Sequence, residues 1–367
     1  MSIKKDYISI LLTAAVWLMS ACASDDFEAP TPAATGNEPE TATADKEPAD
    51  REVMLKAYSS PFKEKRVYAP SAPAGFSPFT PDKATAMGVY MLLPDDWADP
   101  EKQMEEQIIR YTTKWRANFE VTADKTYTVY GYMPKTGDMG SVLTKSTADA
   151  ATLTITGIKP VTTDDVCIIT GVKDTDEGLQ EGRFSWYCPV PEEEEEAYKI
   201  HILMDHLFAA AQFHLKVDAE YAMLRTIKLK TMTLSTNKGG VNAIVTLTHN
   251  ETGASPISDV DYSASGSSDA VVIYNNDEGT ALDKTMPLVI NAYFAPTLSS
   301  NLTLVSTYDV YDRKGNLICQ NSTATNKLPD LDAYRGQRVQ VNLTVNPSYV
   351  YVLSEEDLDN PTVKVDN

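Results

Sequence analysis

The chain has little of the residue chemistry on which enzymes and metalloproteins depend. It has only four histidines and four cysteines among 367 residues, and it has no Cys-x-x-Cys, which excludes a zinc knuckle and a thioredoxin-type motif. It also lacks a Gly-x-Ser-x-Gly elbow, a P-loop, a Rossmann fingerprint and a His-Glu-x-x-His. The sequence therefore predicts a protein that is not an enzyme and that uses no cofactor and no metal. We interpret each histidine as a core or surface residue: His201, His206, His214 and His249.

Basic charge is also scarce, because 32 Lys and Arg face 52 Asp and Glu, for a net charge of −20. Nucleic acids and anionic lipid surfaces both require a basic patch, so this balance argues against both as partners. The acidic charge is best explained by solubility outside the cell. No long hydrophobic run is present either: the apolar stretch Ile8–Leu18 is about half of the ~20 residues that a membrane-spanning helix needs.

That short apolar stretch has the features of an export signal. Lys4 and Lys5 precede it, and the small residues Ser20 and Ala21 stand directly before Cys22. This pattern predicts that residues 1–21 are a lipoprotein signal peptide and that Cys22 is lipidated. The alternative is an ordinary secretory signal with a chance cysteine. The acidic residues that follow, 23–26, indicate the outer face of an outer membrane.

Residues 22–52 are rich in Pro, Ala, Thr and acid and hold almost no apolar bulk, so we predict a disordered acidic tether there. Roughly 315 residues remain, which favours two domains. Five consecutive glutamates in 191–197 repel one another and cannot enter a core, so they indicate a linker. The predicted division is 53–197 for an N-terminal domain, 198–353 for a C-terminal domain and 354–367 for a tail.

Alternation of apolar and polar residues dominates both predicted domains and indicates strands with one buried face. The runs with this pattern are Thr126–Met133, Thr226–Lys230, Ala270–Tyr274, Leu288–Phe294, Leu302–Val305 and Val339–Val345. Turn residues at 313–316 predict a hairpin. Helical signals are few: one short helix is expected from Asp99 through Ile109, and 206–217 fits a helix or a strand. The sequence predicts an all-β fold of β-sandwiches.

Two further patterns leave alternatives open. Cys167 and Cys188 lie in strand-like runs and are either a disulfide between neighbouring strands or free buried thiols. Trp97, Trp115 and Trp186 form either a sugar-stacking platform or part of a β-sandwich core.

The two ends of the folded part suggest assembly through strand exchange. Residues Val53–Tyr58 are predicted to form a first strand. A basic loop that ends at Arg66 follows, and a protease specific for Arg or Lys would cut there. Losing a first strand opens a sheet edge that pairs with another chain. The alternating segment 349–366 suits strand addition to a neighbour; otherwise it is a frayed tail or an edge strand of its own domain. The predicted donor residues are Val350, Val352, Val363 and Val365.

Taken together, these features resemble the fimbrillin family, the pilin-like lipoproteins of gut and oral anaerobes. The elements that carry the resemblance are the Cys22 signal with its acidic tag, the first strand with Lys65-Arg66, and the segments 88–91, 111–115, 127–134, 206–213 and 334–336. The resemblance implies two transthyretin-like Greek-key β-sandwich domains. It also implies an outer-membrane lipoprotein, cut after Arg66 and polymerised with other pilin subunits into a fimbrium that adheres to a host surface ligand.

One departure from the family pattern and one rival cleavage site leave other interpretations open. Lysine precedes Arg66 where a small residue is usual, and Arg51 is a rival site whose cleavage would remove no strand. An uncut chain would be an anchor or tip subunit. The competing class is a surface glycan-binding lipoprotein of a carbohydrate-uptake system.

Overall fold

The computed structural model describes residues 53–64, 77–81, 85–93, 106–117, 121–147, 149–190, 198–236, 240–250, 252–265, 270–296, 302–328, 331, 333–350 and 355–366. The predicted signal peptide, the tether, Cys22, Arg66, Trp97, Val352 and the glutamate run lie outside these residues. The predictions made for them therefore remain predictions.

Strands make up almost all of the regular structure that is described. In chain order they are β1 (Val53–Ser59), β2 (Lys63–Glu64), β3 (Ser77–Phe79), β4 (Thr85–Leu92), β5 (Gln107–Tyr111), β6 (Trp115–Ala117), β7 (Lys125–Met133), β8 (Gly140–Thr147), β9 (Ala150–Ile158), β10 (Val161–Thr162), β11 (Cys167–Lys173), β12 (Ser185–Cys188), β13 (Tyr198–His206), β14 (Ala209–Val217), β15 (Thr226–Ser235), β16 (Gly240–Thr248), β17 (Ile257–Ser265), β18 (Val271–Ala281), β19 (Leu288–Phe294), β20 (Leu302–Tyr311), β21 (Leu317–Leu328), β22 (Gln337–Val350) and β23 (Glu355–Asp366). One short helix, α1 (Ala219–Leu224), is capped by Asp218. The all-β prediction is confirmed.

The first sheet closes on itself as a barrel. Its strands follow the order β11-β13-β1-β6-β5-β4-β7, and β7 pairs back onto β11 through Met133 and Cys167. Every second side chain points inward, as the pleat requires. The interior is filled by apolar residues, among them Val53, Leu55, Ala57, Met87, Val89, Ile109, Trp115, Val129, Trp186, Ile200 and Ile202.

The outward-facing residues of the barrel pack against a second sheet, β17-β16-β9-β8. Tyr90 and Tyr130 follow Val89 and Val129 in sequence and therefore point to the opposite face, into this second core. The remaining sheets, β10-β19-β14-β22-β2 with β23, and β18-β15-β20-β21, enclose a third core.

Hydrogen-bonded sheets join residues on both sides of the predicted boundary at 197/198. β1 pairs with β13, and β9 pairs with β16. These pairings join residues that are far apart in sequence, so no local sequence pattern predicts them. The division into two Greek-key domains stays a prediction.

Local predictions had mixed outcomes. Each alternating run lies in a strand apart from Ala270, which comes just before β18, and the predicted hairpin joins β20 to β21. The helix expected to run through Ile109 is wrong at its end, because β5 alternates and buries Ile109 inside the barrel. Of the ambiguous segment 206–217, His206 ends β13 and residues 209–217 form β14, whose Phe213 and Leu215 alternate into a core. No helix among the described residues is long and apolar enough to cross a membrane.

Cys167 and Cys188 are free thiols. Cys167 lies opposite Met133 and Cys188 lies opposite Lys125, so they meet opposite ends of β7. About 26 Å of extended strand separates those positions, whereas a disulfide needs Cα atoms within about 7 Å. Of the two alternatives, free buried thiols is the one that the structure shows.

Candidate functional site

The first candidate site is β1 itself, as one of the strands that form the barrel wall. β1 pairs along its whole length with β13 in parallel, from Val53 opposite Tyr198 to Ser59 opposite Met204. On its other edge it pairs antiparallel with β6 and then with β3. β1 is therefore an inner strand, and its removal would separate β13 from β6 and open the barrel.

The side chains of β1 divide between the barrel interior and the outside. Val53, Leu55 and Ala57 are 0–5% exposed and belong to the interior core. Lys56 is exposed between them. A gap left by β1 would be a groove with alternate apolar pockets, which is the form that an extended donor segment fits.

His201 of β13 lies against the outward-facing residues of β1. It is opposite Lys56 in the strand register, and its Nδ1 is 3.2 Å from the hydroxyl of Tyr58. Burial of the ring, followed by the charge of Lys56, lowers the pKa of His201. The histidine is therefore in its neutral form when β1 is seated at neutral pH.

The chain leaves β1 through residues 60–62, here called the exit segment. The backbone nitrogen of Ser60 donates to the carbonyl of Met204 at 3.2 Å, and the carbonyl of Ser60 accepts from Nε2 of His206 at 2.7 Å. The ring of Phe62 stacks on His206 with 3.6 Å between centroids. After two residues in β2, paired with β22, the chain reaches the predicted cut at Arg66, outside the described residues.

His206 also contacts two residues of the β11 end, and the three side chains are here called the exit cluster: Asp165, Cys167 and His206. Nδ1 of His206 lies 2.6 Å from Oδ2 of Asp165 and 3.7 Å from Sγ of Cys167. Burial lowers the pKa of this histidine, but the hydrogen bond and charge of Asp165 outweigh it, so the pKa of His206 is raised. Burial raises the pKa of the Cys167 thiol. Among the residues that the structure describes, these three form a group that could hold a metal ion, because their ligand atoms lie within 4.8 Å of one another.

Sequence reasoning missed the exit cluster. The prediction that His206 is an ordinary core or surface residue did not take account of its partners, which lie some forty residues away in sequence. The alternation Asp165-x-Cys167 at the start of a strand is a weak signal, and it acquires meaning only through the cross-strand pairing with His206.

A turn that contains Arg335 and Gly336 contacts the end of the strand that carries His206. Arg335 donates to Oδ2 of Asp205 at 2.6 Å and to the carbonyl of His206 at 3.0 Å. The backbone nitrogen of Gly336, at φ +69°, donates to the carbonyl of Phe208. Two segments that carry the family resemblance, 206–213 and 334–336, are therefore in direct contact.

The predicted donor segment is folded onto its own chain. β23 pairs antiparallel with β22, with Val363 opposite Val345 and Val365 opposite Leu343. Val363 is buried in the third core and Val365 packs against it. This is the expected alternative of an edge strand on its own domain. Val350 lies in the hairpin opposite Glu355, and none of the described donor residues pairs with β1 of the same chain.

The predicted sugar-stacking platform is not formed by the two described tryptophans. Trp115 is 3% exposed and Trp186 is fully buried, and both fill the barrel interior. For these two residues the structure shows the alternative of a β-sheet core.

No protein-family model and no curated protein matches the chain. Solved structures that match most of its length include a fimbrial protein from Bacteroides vulgatus, which is 13% identical, with 86% of this chain and 98% of that chain covered and a TM-score of 0.32. The fimbrial anchor protein of Porphyromonas gingivalis is 10% identical, with 86% and 97% covered and a TM-score of 0.29. A candidate cell adhesion protein from Bacteroides fragilis is 13% identical, with 87% and 97% covered and a TM-score of 0.38.

These three solved structures are of fimbrial and adhesion proteins. At these identities and TM-scores the likeness does not define what the chain does. Its function has to follow from its own strand pairing.

Proposed function

We propose that this chain is a structural subunit of a surface fimbrium. In this proposal it is exported as a lipoprotein through Cys22 to the outer membrane and cut after Arg66. It then polymerises with other pilin subunits by donor-strand exchange, and the polymer adheres to a host surface ligand.

The observation that carries the proposal is the place of β1. The first described strand is also an inner strand of a closed barrel, with three inward side chains in the core. A cut in the loop after it would leave β1 held by hydrogen bonds and apolar contacts alone. Its departure would expose two strand edges and a hydrophobic groove, and an open edge of this kind templates pairing with another chain.

The chain's own C-terminal segment has the properties that a donor needs. β23 ends the described chain and pairs in register with a single strand, β22. Asn326 adds a hydrogen bond from its side chain to the carbonyl of Val363 at 2.6 Å. Val363 and Val365 alternate with exposed Thr362 and Lys364, so the segment offers apolar side chains at the two-residue spacing of β1.

The test is the intact mass and N-terminal sequence of the protein from its native cell surface, before and after treatment with an Arg-specific protease. The proposal expects a mature chain that begins at Val67 and forms a ladder of detergent-resistant oligomers. A chain that begins at lipidated Cys22 and stays monomeric after protease treatment would contradict a shaft role and favour an anchor or tip subunit.

The donor segment is tested with the double variant Val363→Asp and Val365→Asp. Charged side chains at these positions cannot enter an apolar groove, so we expect no polymers from the cut subunit. Because Val363 is buried in its own chain, the variant tail should also detach from β22, whereas the rest of the monomer stays folded. Thr362→Asp, one residue away on the exposed side, is the matched control and should polymerise normally. Normal polymers from the double variant would rule out this donor.

A further inference from the structure

The exit cluster has a geometry that hydrogen bonding alone does not account for. β11 and β13 are antiparallel, and Cys167 lies directly opposite His206 in their register. Asp165 stands two residues before Cys167, just ahead of β11, and both side chains contact Nδ1 of His206. Three residues with three different metal-ligating groups thus converge at one end of the barrel.

The sulfur–nitrogen distance suits a tetrahedral centre. With Zn–S near 2.3 Å and Zn–N near 2.0 Å, the sulfur and nitrogen of a tetrahedral site lie about 3.5 Å apart. Sγ of Cys167 and Nδ1 of His206 are 3.7 Å apart. The carboxylate of Asp165, now hydrogen-bonded to Nδ1 at 2.6 Å, would have to move back by about 0.7 Å to become a third ligand.

The ring of His206 is oriented as a metal ligand would be. Nε2 lies 2.7 Å from the carbonyl of Ser60, and a carbonyl oxygen only accepts, so Nε2 carries a proton. That bond leaves Nδ1 as the nitrogen available to a cation. A second ring nitrogen that donates to a backbone carbonyl is the usual support of a metal-bound histidine.

Asp165 has unused capacity that points to a ligand. Its Oδ1 is buried and has no hydrogen-bond partner among the described residues, which is a costly state for a carboxylate oxygen. A divalent cation would satisfy it and would also deprotonate the Cys167 thiol, releasing that proton and the Nδ1 proton to solvent. Two negative ligands and one divalent cation then sum to zero charge, which suits a partly buried site.

A path for the ion exists. Asp165 lines a cavity of about 370 Å³ together with Thr163, Asp164, Thr85 and Tyr293. Cys167 and His206 are buried and do not line this cavity. Of the three proposed ligands, Asp165 is therefore the one that a cation in the cavity reaches directly.

We propose that Asp165, Cys167 and His206 bind one divalent cation of the zinc class, with the fourth position left to water. Thiolate and imidazole select zinc or cobalt over calcium and magnesium, which prefer all-oxygen sites. The bound ion would join β11 to β13 and, through the Ser60 carbonyl, hold the exit segment of β1. This site is independent of polymerisation and stands whether or not β1 is exchanged.

The test is a titration of the full chain with Co²⁺ in reducing buffer, followed by absorption. We expect a thiolate-to-cobalt charge-transfer band and visible bands of tetrahedral cobalt, both saturating at about one equivalent and displaced by Zn²⁺. Cys167→Ser should abolish the charge-transfer band. The matched controls Cys188→Ser, a buried thiol in the same barrel, and Cys319→Ser should retain it.

Asp165→Asn provides a second variant that keeps the shape of a half-buried side chain, in case Cys167→Ser disturbs the core. It should weaken the cobalt affinity by at least about 10-fold, as loss of a ligand costs no less than loss of a supporting residue. Absence of the charge-transfer band in the unmodified chain, its survival in Cys167→Ser, or an unchanged affinity in Asp165→Asn would overturn the proposal.

Discussion

A substitution of Leu55, at the centre of β1, should change the stability of the subunit and its ability to polymerise in opposite directions. Its side chain is 5% exposed in the barrel interior, opposite Ile200 on one side and Trp115 on the other. Leu55→Ala removes three carbons between two strands that cannot collapse onto the gap. We expect a loss of about 2–5 kcal/mol in the free energy of unfolding, which is the range for buried Leu→Ala changes.

The same loss of packing energy, which destabilises the uncut monomer, should promote assembly of the cut one. After a cut at Arg66, β1 is held without a covalent link, so a contact weakened by about 2–5 kcal/mol raises its release equilibrium by about 30-fold to about 4,000-fold. The donor that replaces β1 meets an unaltered groove, because the mutated residue departs with its strand. Leu55→Ala should therefore destabilise the uncut monomer and accelerate polymerisation of the cut one.

The assay is urea unfolding of the uncut chain, followed by the time course of oligomer ladders after protease treatment. Lys56→Ala is the matched control, since Lys56 is the adjacent, exposed residue of the same strand, and its effect on stability should stay within about 0.5 kcal/mol. Equal stabilities of the two variants would refute the packing argument. Slower polymerisation of Leu55→Ala would refute the release of β1.

Two further predictions concern pH and helix capping. Burial and Lys56 lower the pKa of His201, so near about pH 6.5 the unfolded chain binds a proton that the folded chain does not bind. The free energy of unfolding should therefore fall as the pH drops from about 6.5, until the pKa of His201 in the folded chain is passed. In a plot of the urea midpoint against pH, His201→Gln should flatten that part of the profile. Asp218 caps α1 by accepting from the backbone nitrogens of Glu220 at 2.9 Å and Tyr221 at 3.0 Å, so Asp218→Ala should cost about 1 kcal/mol in urea unfolding, whereas Asp218→Asn, which keeps the acceptor, should cost only a few tenths.

The strands could be predicted because their signal is local. In β22, alternation places Val341, Leu343 and Val345 on one face whatever the rest of the chain does. Local reasoning failed for Ile109. Asp99-Pro100 suggested the start of a helix that runs through Ile109, but this residue lies in the short strand β5 of the barrel. A local start signal is outweighed by the burial that a closed sheet gives to alternate residues.

The candidate site could be predicted only in part. The first strand at 53–58 was found, and the structure has β1 at Val53–Ser59. Its position as an inner strand was not predictable, because its partners β6 and β13 begin at residues 115 and 198. The exit cluster was missed for the same reason: Asp165, Cys167 and His206 are ordinary residues until two strands pair.

By itself, the sequence determined that the protein is all-β and, for the runs with clear alternation, which segments are strands and which of their faces are apolar, since these depend on the two-residue period of an extended chain. Tertiary structure decided the rest. It closed a barrel around β1, placed β23 on β22, buried Trp115 and Trp186, and brought a thiol, an imidazole and a carboxylate within reach of one ion. Strand order and register arise from pairings between distant residues, and burial selects those pairings only when the whole chain has folded.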